Sequence, residues 1–132
     1  MREAQKRGFD GIVLVIDEDG QSERRQQIDE AQDYSGTAIP RALGVAIRTF
    51  DAWMLTDEKA LSKVFGITIR RQPDPEKITD PKKGIDELRD ASMVDMRRGE
   101  LYARIASEAA MESIETRCSK GFAPFAKRVR EL

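Results

Sequence analysis

Residues 11–20 read GIVLVIDEDG, and the fold turns on how that stretch is taken. Residues 12–16 are aliphatics in an unbroken row, the pattern of a strand covered on both faces by helices. The run stops at Asp17, Glu18 and Asp19, and Gly20 breaks the pattern before a polar, helix-favouring segment. Open α/β sheets bind ligands beyond the C-terminal ends of their strands. The acidic turn therefore has two readings. Its carboxylates hold a metal ion, or Asp and Gly sit there because a turn needs their backbone freedom.

Working outward, MREAQKRG before this strand reads as the last turns of a helix that stops at Gly8. After it, QSERRQQIDEAQ (residues 21–32) reads as a polar helix with Ser22 as N-cap. Residues 33–40, DYSGTAIP, form a loop by their Gly, Ser and Pro content. A second apolar run at 42–47 is a strand by its Val and Ile. Residues 50–54 turn back as a short helix, and Thr56 and Asp57 open another that closes at Gly66. Residues 67–69 suggest a short edge strand. Asp74-Pro75 and Asp80-Pro81 both carry the cap-then-proline pattern of a helix start, and the second leads into a helix apolar at Ile85 and Leu88. Residues 100–119 read as helix, with Leu101, Ile105 and Ala109 on one face. A break near residues 119–121 precedes a last helix whose Phe122, Phe125 and Val129 share a side and pack as core.

Composition bounds the function. The chain has 132 residues, enough for one domain, with 39% hydrophobic and 36% charged residues. Lys and Arg number 23 against 24 Asp and Glu, a net charge of -1. No global basic field draws nucleic acid, so such a contact needs a local patch or a bound metal. Histidine is absent, which excludes Ser-His-Asp hydrolysis and His-ligated zinc. The single cysteine, Cys118, cannot form an internal disulfide and reads as a small core residue in a reducing compartment. No apolar segment approaches the ~20 residues of a membrane span. MREAQKRGFDG has no signal-peptide apolar region. The expectation is a cytoplasmic protein that does not enter a membrane.

The chemistry-bearing candidates lie at the strand ends. Asp17 and Asp19, one residue apart, can point into the same crevice and offer oxygens to Mg²⁺ or Mn²⁺. If the two strands are parallel neighbours, Asp51 lies on the same edge and completes a three-carboxylate cluster; otherwise it caps the helix that begins there. Arg24 and Arg25 follow the acidic turn and Arg48 ends the second strand, so these three are the candidate contacts to a phosphate held by the metal. The plainer reading of each arginine is a solvated surface charge.

Taken in order, VLVIDEDG, RALGVAIRTFDAWMLTDEKAL, DPEKITDPKKGIDEL and CSKGFAPFAKRVREL resemble the prokaryotic family called domain of unknown function 4276, a TOPRIM-like family. TOPRIM domains occur in topoisomerases, primases and nucleases of the overcoming-lysogenization-defect type. The resemblance spans nearly the whole chain. It implies one α/β domain over residues 1–132, TOPRIM-like or Rossmann-like, with a small mainly parallel sheet flanked by helices and a helical C-terminal part. It assigns the catalytic and metal-binding Asp-x-Asp to Asp17 and Asp19, and the acidic residue before a Trp to Asp51. A TOPRIM site also needs a Glu, usually followed by Gly, on an earlier strand. Glu3 lies in a segment that reads as helix, so either a first strand is missing from this sequence or the position is lost.

Three functions follow as expectations. The first is metal-dependent phosphodiester chemistry on nucleic acid, the metal polarising a phosphoryl oxygen. The second is a non-catalytic interaction module partnered with an ATPase, as the resemblance implies for some TOPRIM relatives. The third is small-molecule phosphotransfer, for which Thr49 is available but no strand-terminal Lys is apparent. A missing first strand would also expose a sheet edge through which two copies could form a homodimer.

Overall fold

The computed structural model describes Glu3 and residues 6–132. The chain forms a mixed α/β structure with a parallel two-stranded sheet and a helical C-terminal part. In chain order the elements are β1 (Ile12–Asp17), α1 (Glu23–Asp33), β2 (Arg41–Ala46), α2 (Asp51–Met54), α3 (Glu58–Phe65), a 3-10 turn (Pro75–Lys77), α4 (Pro81–Ser92), α5 (Arg98–Glu108), α6 (Met111–Arg117) and α7 (Phe122–Arg130). β1 pairs with β2 from Ile12↔Arg41 to Asp17↔Ala46, with α1 as the crossover. Among the described residues no helix is long and apolar enough to cross a membrane.

Several boundaries fall where local chemistry puts them. Asp57 caps α3 by accepting the N–H groups of Lys59 (3.0 Å) and Ala60 (3.2 Å), and Gly66 ends it in the left-handed conformation at φ 68°. Asp80 accepts the Lys83 N–H at 3.0 Å, and Pro81 begins α4. Ser22 stands at the N-cap of α1, although its side chain makes no capping bond.

The core has two parts. The larger joins Trp53, Leu61, Ile85, Leu101, Ile105, Cys118 and Phe122, on the side of the sheet covered by α7 and the other C-terminal helices. The smaller packs Ile28 and Ala31 of α1 against Leu43, Val45, Ile12 and Ile16. α7 rests on β2, where Gly44 leaves room for the ring of Phe125. A Cβ there would lie 2.7 Å from Phe125 Cδ2.

The helix expected before Gly8 lies partly outside the described residues; within them Glu3 and Lys6 are helical, the Arg7 N–H donates to the Glu3 carbonyl at 3.1 Å, and Gly8 has φ 73°. Three other features differ from the sequence reading. Residues 67–69 form no strand. Ile67 and Ile69 pack on the core, and the Ile69 N–H donates to Ser62 Oγ at 3.0 Å rather than to a sheet edge. The helix expected over residues 100–119 is two helices, α5 and α6. The chain bends at Ala110, whose N–H donates to Asp57 Oδ2 at 2.8 Å. Finally, β1 is not covered on both faces: Val13 is 59% and Leu14 46% exposed. Both α1 and α7 lean on β2, which leaves β1 at the outside of the sheet.

Candidate functional site

The C-terminal ends of the two strands build the acidic turn. The Glu18 N–H continues the ladder onto the Ala46 carbonyl, and the Asp19 N–H donates to the Arg48 carbonyl, each at 2.9 Å. Asp19 and Arg48 both sit in the left-handed region, at φ 51° and 59°, before Gly20 at 73°. An Asp tolerates that conformation better than most residues, so part of the acidity is turn chemistry.

Each carboxylate has a protein partner. Asp17 Oδ1 accepts the Phe50 N–H at 2.7 Å, which ties the end of β1 to the start of α2. Arg24 donates to the Asp17 carbonyl at 2.6 Å and to Asp19 Oδ2 at 3.2 Å. Glu18, only 8% exposed, places Oε2 2.8 Å from Arg25 Nε, an ion pair that lacks hydrogen-bond geometry. Arg48 is exposed, and its carbonyl is what the turn uses. Thus Arg24 and Arg25, expected as contacts to a phosphate, stand at the acidic turn as counter-ions of Asp19 and Glu18.

Asp51 faces another way. It accepts a short hydrogen bond from the Tyr102 hydroxyl of α5 and lies 3.7 Å from Arg98 Nη1. Arg98 also donates to Asp86 of α4 at 2.7 Å. Burial, then the carboxylate of Asp51, raises the Tyr102 pKa well above the ordinary phenol value, so this hydroxyl stays protonated as a donor. Asp51 is a junction between α2, α4 and α5. Asp17, Asp19 and Asp51 are not gathered, and among the described residues no three His, Cys, Asp or Glu side chains stand together as a group that could hold a metal ion.

Beside the turn lies a cavity of about 510 Å³ bordered by Arg25, Arg71, Lys77, Arg117, Lys120 and Glu76. Its cations are largely matched internally. Arg25 pairs with Glu18 and Arg117 with Glu58, each at 2.8 Å, and Lys77 pairs with Asp74 at 3.0 Å. Glu76 was not legible as special in the sequence. It is a buried carboxylate accepting the N–H groups of Gly121 (2.7 Å) and Lys120 (3.2 Å) at the start of α7. Burial raises its pKa against the pull of those two donors. Cys118 is buried as expected, in contact with Thr56 Oγ1 at 3.2 Å, and burial pushes its thiol up to about 11. That is the wrong direction for a nucleophile at neutral pH. The Thr49 hydroxyl oxygen is buried without a hydrogen-bond partner among the described residues.

The two lateral edges of the sheet are treated differently. The Ile12 N–H donates to Pro40 and that of Glu18 to Ala46, so the alternation turns the main-chain groups of Ile12, Leu14 and Ile16 inward to β2. Those of Val13 and Val15 point outward. On the far side of β2 side chains bind the outward groups of its first half, at Arg41 and Leu43. Gln32 donates to the Arg41 carbonyl and accepts the Leu43 N–H, both at 2.9 Å, and Arg128 donates to the Leu43 carbonyl at 2.8 Å. No such plug covers Val13 and Val15 of β1 among the described residues. The strand carries no Lys, Pro or bulge to blunt this edge. No family model, curated protein or solved structure matches this chain.

Proposed function

We propose that this chain is a non-catalytic interaction module whose β1 edge receives an extended strand. The observation that carries the proposal is the contrast between the edges: Gln32 and Arg128 bind the outward main-chain groups of Arg41 and Leu43 on β2, while among the described residues nothing binds those of Val13 and Val15, which lie beside exposed aliphatic side chains. Strand addition satisfies those groups with main-chain hydrogen bonds and covers the aliphatics at the same time. It also reconciles the sequence of β1, which is that of an interior strand, with its place at an edge.

The rival, metal-dependent phosphodiester chemistry, requires rearrangement. Asp51 would have to leave Tyr102 and Arg98, and Asp17 would have to release the Phe50 N–H. Each lost hydrogen bond to a charged group costs on the order of 1.5–3 kcal/mol unless the metal offsets it.

Residue-resolved amide hydrogen exchange on dilute protein tests the open edge. Val13 and Val15 amides exchange fast and those of Leu14 and Ile16 slowly, because only the latter pair lies within the β1–β2 ladder. Equal protection of all four in dilute solution overturns the proposal.

A further inference from the structure

We infer that the strand received at this edge is β1 of a second copy, paired antiparallel about a two-fold axis through Leu14, an inference that rests on the open-edge reading above. The aliphatic run at 12–16 is centred on Leu14. An axis there sets Ile12 against Ile16, Val13 against Val15, and Leu14 against Leu14 of the second copy, so every aliphatic meets another. The outward-pointing residues, Val13 and Val15, are symmetric about the same point. Each Val13 exchanges both N–H···O bonds with Val15 of the second copy, and the two Leu14 residues face one another at a non-hydrogen-bonded position. An axis at Val15 loses this match, because Val13 would then face Asp17, whose carbonyl already accepts Arg24.

Charge selects the direction. A parallel pairing lines up the two acidic turns at residues 17–19, and like charges opposite one another destabilise a sheet. The antiparallel pairing separates the turns: Asp17 faces Gly11 and Asp19 faces Phe9, so the one like-charge opposition per turn is Glu18 against Asp10, and Glu18 is already paired with Arg25. Area sets the strength. A strand of this length has an edge ~20 Å long. The contact therefore falls at the low end of specific interfaces, below ~1,200 Å² in total. A weak, reversible dimer follows, favoured by covering Val13 and Leu14.

Sedimentation equilibrium over a wide concentration range is the primary test, on the wild type and on Val13→Pro. Proline at 13 removes only an outward N–H and leaves the β1–β2 ladder whole, so the variant keeps its circular dichroism and melting temperature and stays monomeric. A second, independent variant is Leu14→Cys. Opposed residues at a non-hydrogen-bonded position have Cα atoms ~4.5 Å apart, within the range a disulfide spans. Oxidised glutathione, as the acceptor of the two electrons, should therefore crosslink this variant to a covalent dimer. Phe9→Cys is the exposed control, 58% accessible in the wild type, and should not crosslink because the two copies of residue 9 lie ~34 Å apart along the paired strands. Cys118 is buried and does not compete. A wild type that stays monomeric at every concentration overturns the second-copy assignment, as does crosslinking of Phe9→Cys in place of Leu14→Cys. If Val13 and Val15 still exchange fast in that monomer, the open edge survives and only its occupant was misassigned. If they are protected, the open edge itself fails.

Discussion

Asp17 is where the metal and structural readings of the acidic turn separate most cleanly. Its Oδ1 accepts the Phe50 N–H at 2.7 Å across 33 residues of chain. A hydrogen bond to a charged group nets ~1.5–3 kcal/mol, and this pair is exposed, so Asp17→Ala should lose ~1.5 kcal/mol. For a chain of this length that is a fall of ~3–6 °C in melting temperature. Asp17→Asn keeps an Oδ1 acceptor in the same place and should recover most of the loss, to within ~0.5 kcal/mol of wild type. The assay is urea denaturation followed by the fluorescence of Trp53, the single tryptophan, with and without millimolar MgCl₂ or MnCl₂. A metal that binds the native state raises stability in proportion to RT ln(1 + [L]/Kd). Asp17 is not a structural acceptor if Asn proves as damaging as Ala and the wild type gains stability from metal that Asp17→Asn does not. The carboxylate would then be a ligand, and the bond to Phe50 incidental.

Two further substitutions test how the helices are held. Asp57→Ala removes the cap of α3 and orphans the Ala110 N–H, for a combined loss of ~2–4 kcal/mol in denaturant melts. Burial alone would raise the Asp57 pKa, but the N–H groups of Ala110, Ala60 and Lys59, with Arg117 nearby, hold it below the ordinary value. Its stabilisation is thus present above the unfolded pKa and lost as pH falls through the folded one, so the gap between wild type and Asp57→Asn should close in acid; a gap that widens there contradicts the assignment. Gly44→Ala drives a Cβ into the ring of Phe125, which stacks on Trp53 at 5.8 Å between centroids. The expected cost is ~1–3 kcal/mol with a shifted Trp53 emission, and an unchanged spectrum would mean that α7 does not seat on β2 as described.

Local signals were legible wherever one residue's own chemistry sets the conformation. The Asp57 and Asp80 caps, the Gly66 stop and the Pro81 start are all of this kind, and each is decided within one turn of chain. The two strands were legible because a short apolar run rich in Val and Ile, bounded by Gly and acid in β1 and by arginines in β2, has few alternatives. The bend at Ala110 was not, because its cause is Asp57, far away in the sequence. The three-carboxylate cluster follows only from strand-end positions, and position does not fix where a side chain turns. Asp51 turns to Tyr102 and Arg98, residues on a helix whose docking no local pattern announces.

The sequence by itself therefore determined the composition class, the two strands, most helix boundaries and the acidity of the turn after β1. These depend on propensity, capping and hydrophobic runs, which act over a few residues. Only the tertiary structure decided that β1 lies at the edge of the sheet, that Asp17 holds a peptide N–H, and that Gln32 and Arg128 bind outward main-chain groups of β2. A strand's aliphatic run says that it is to be buried. Which surface buries it is set by contacts between distant segments.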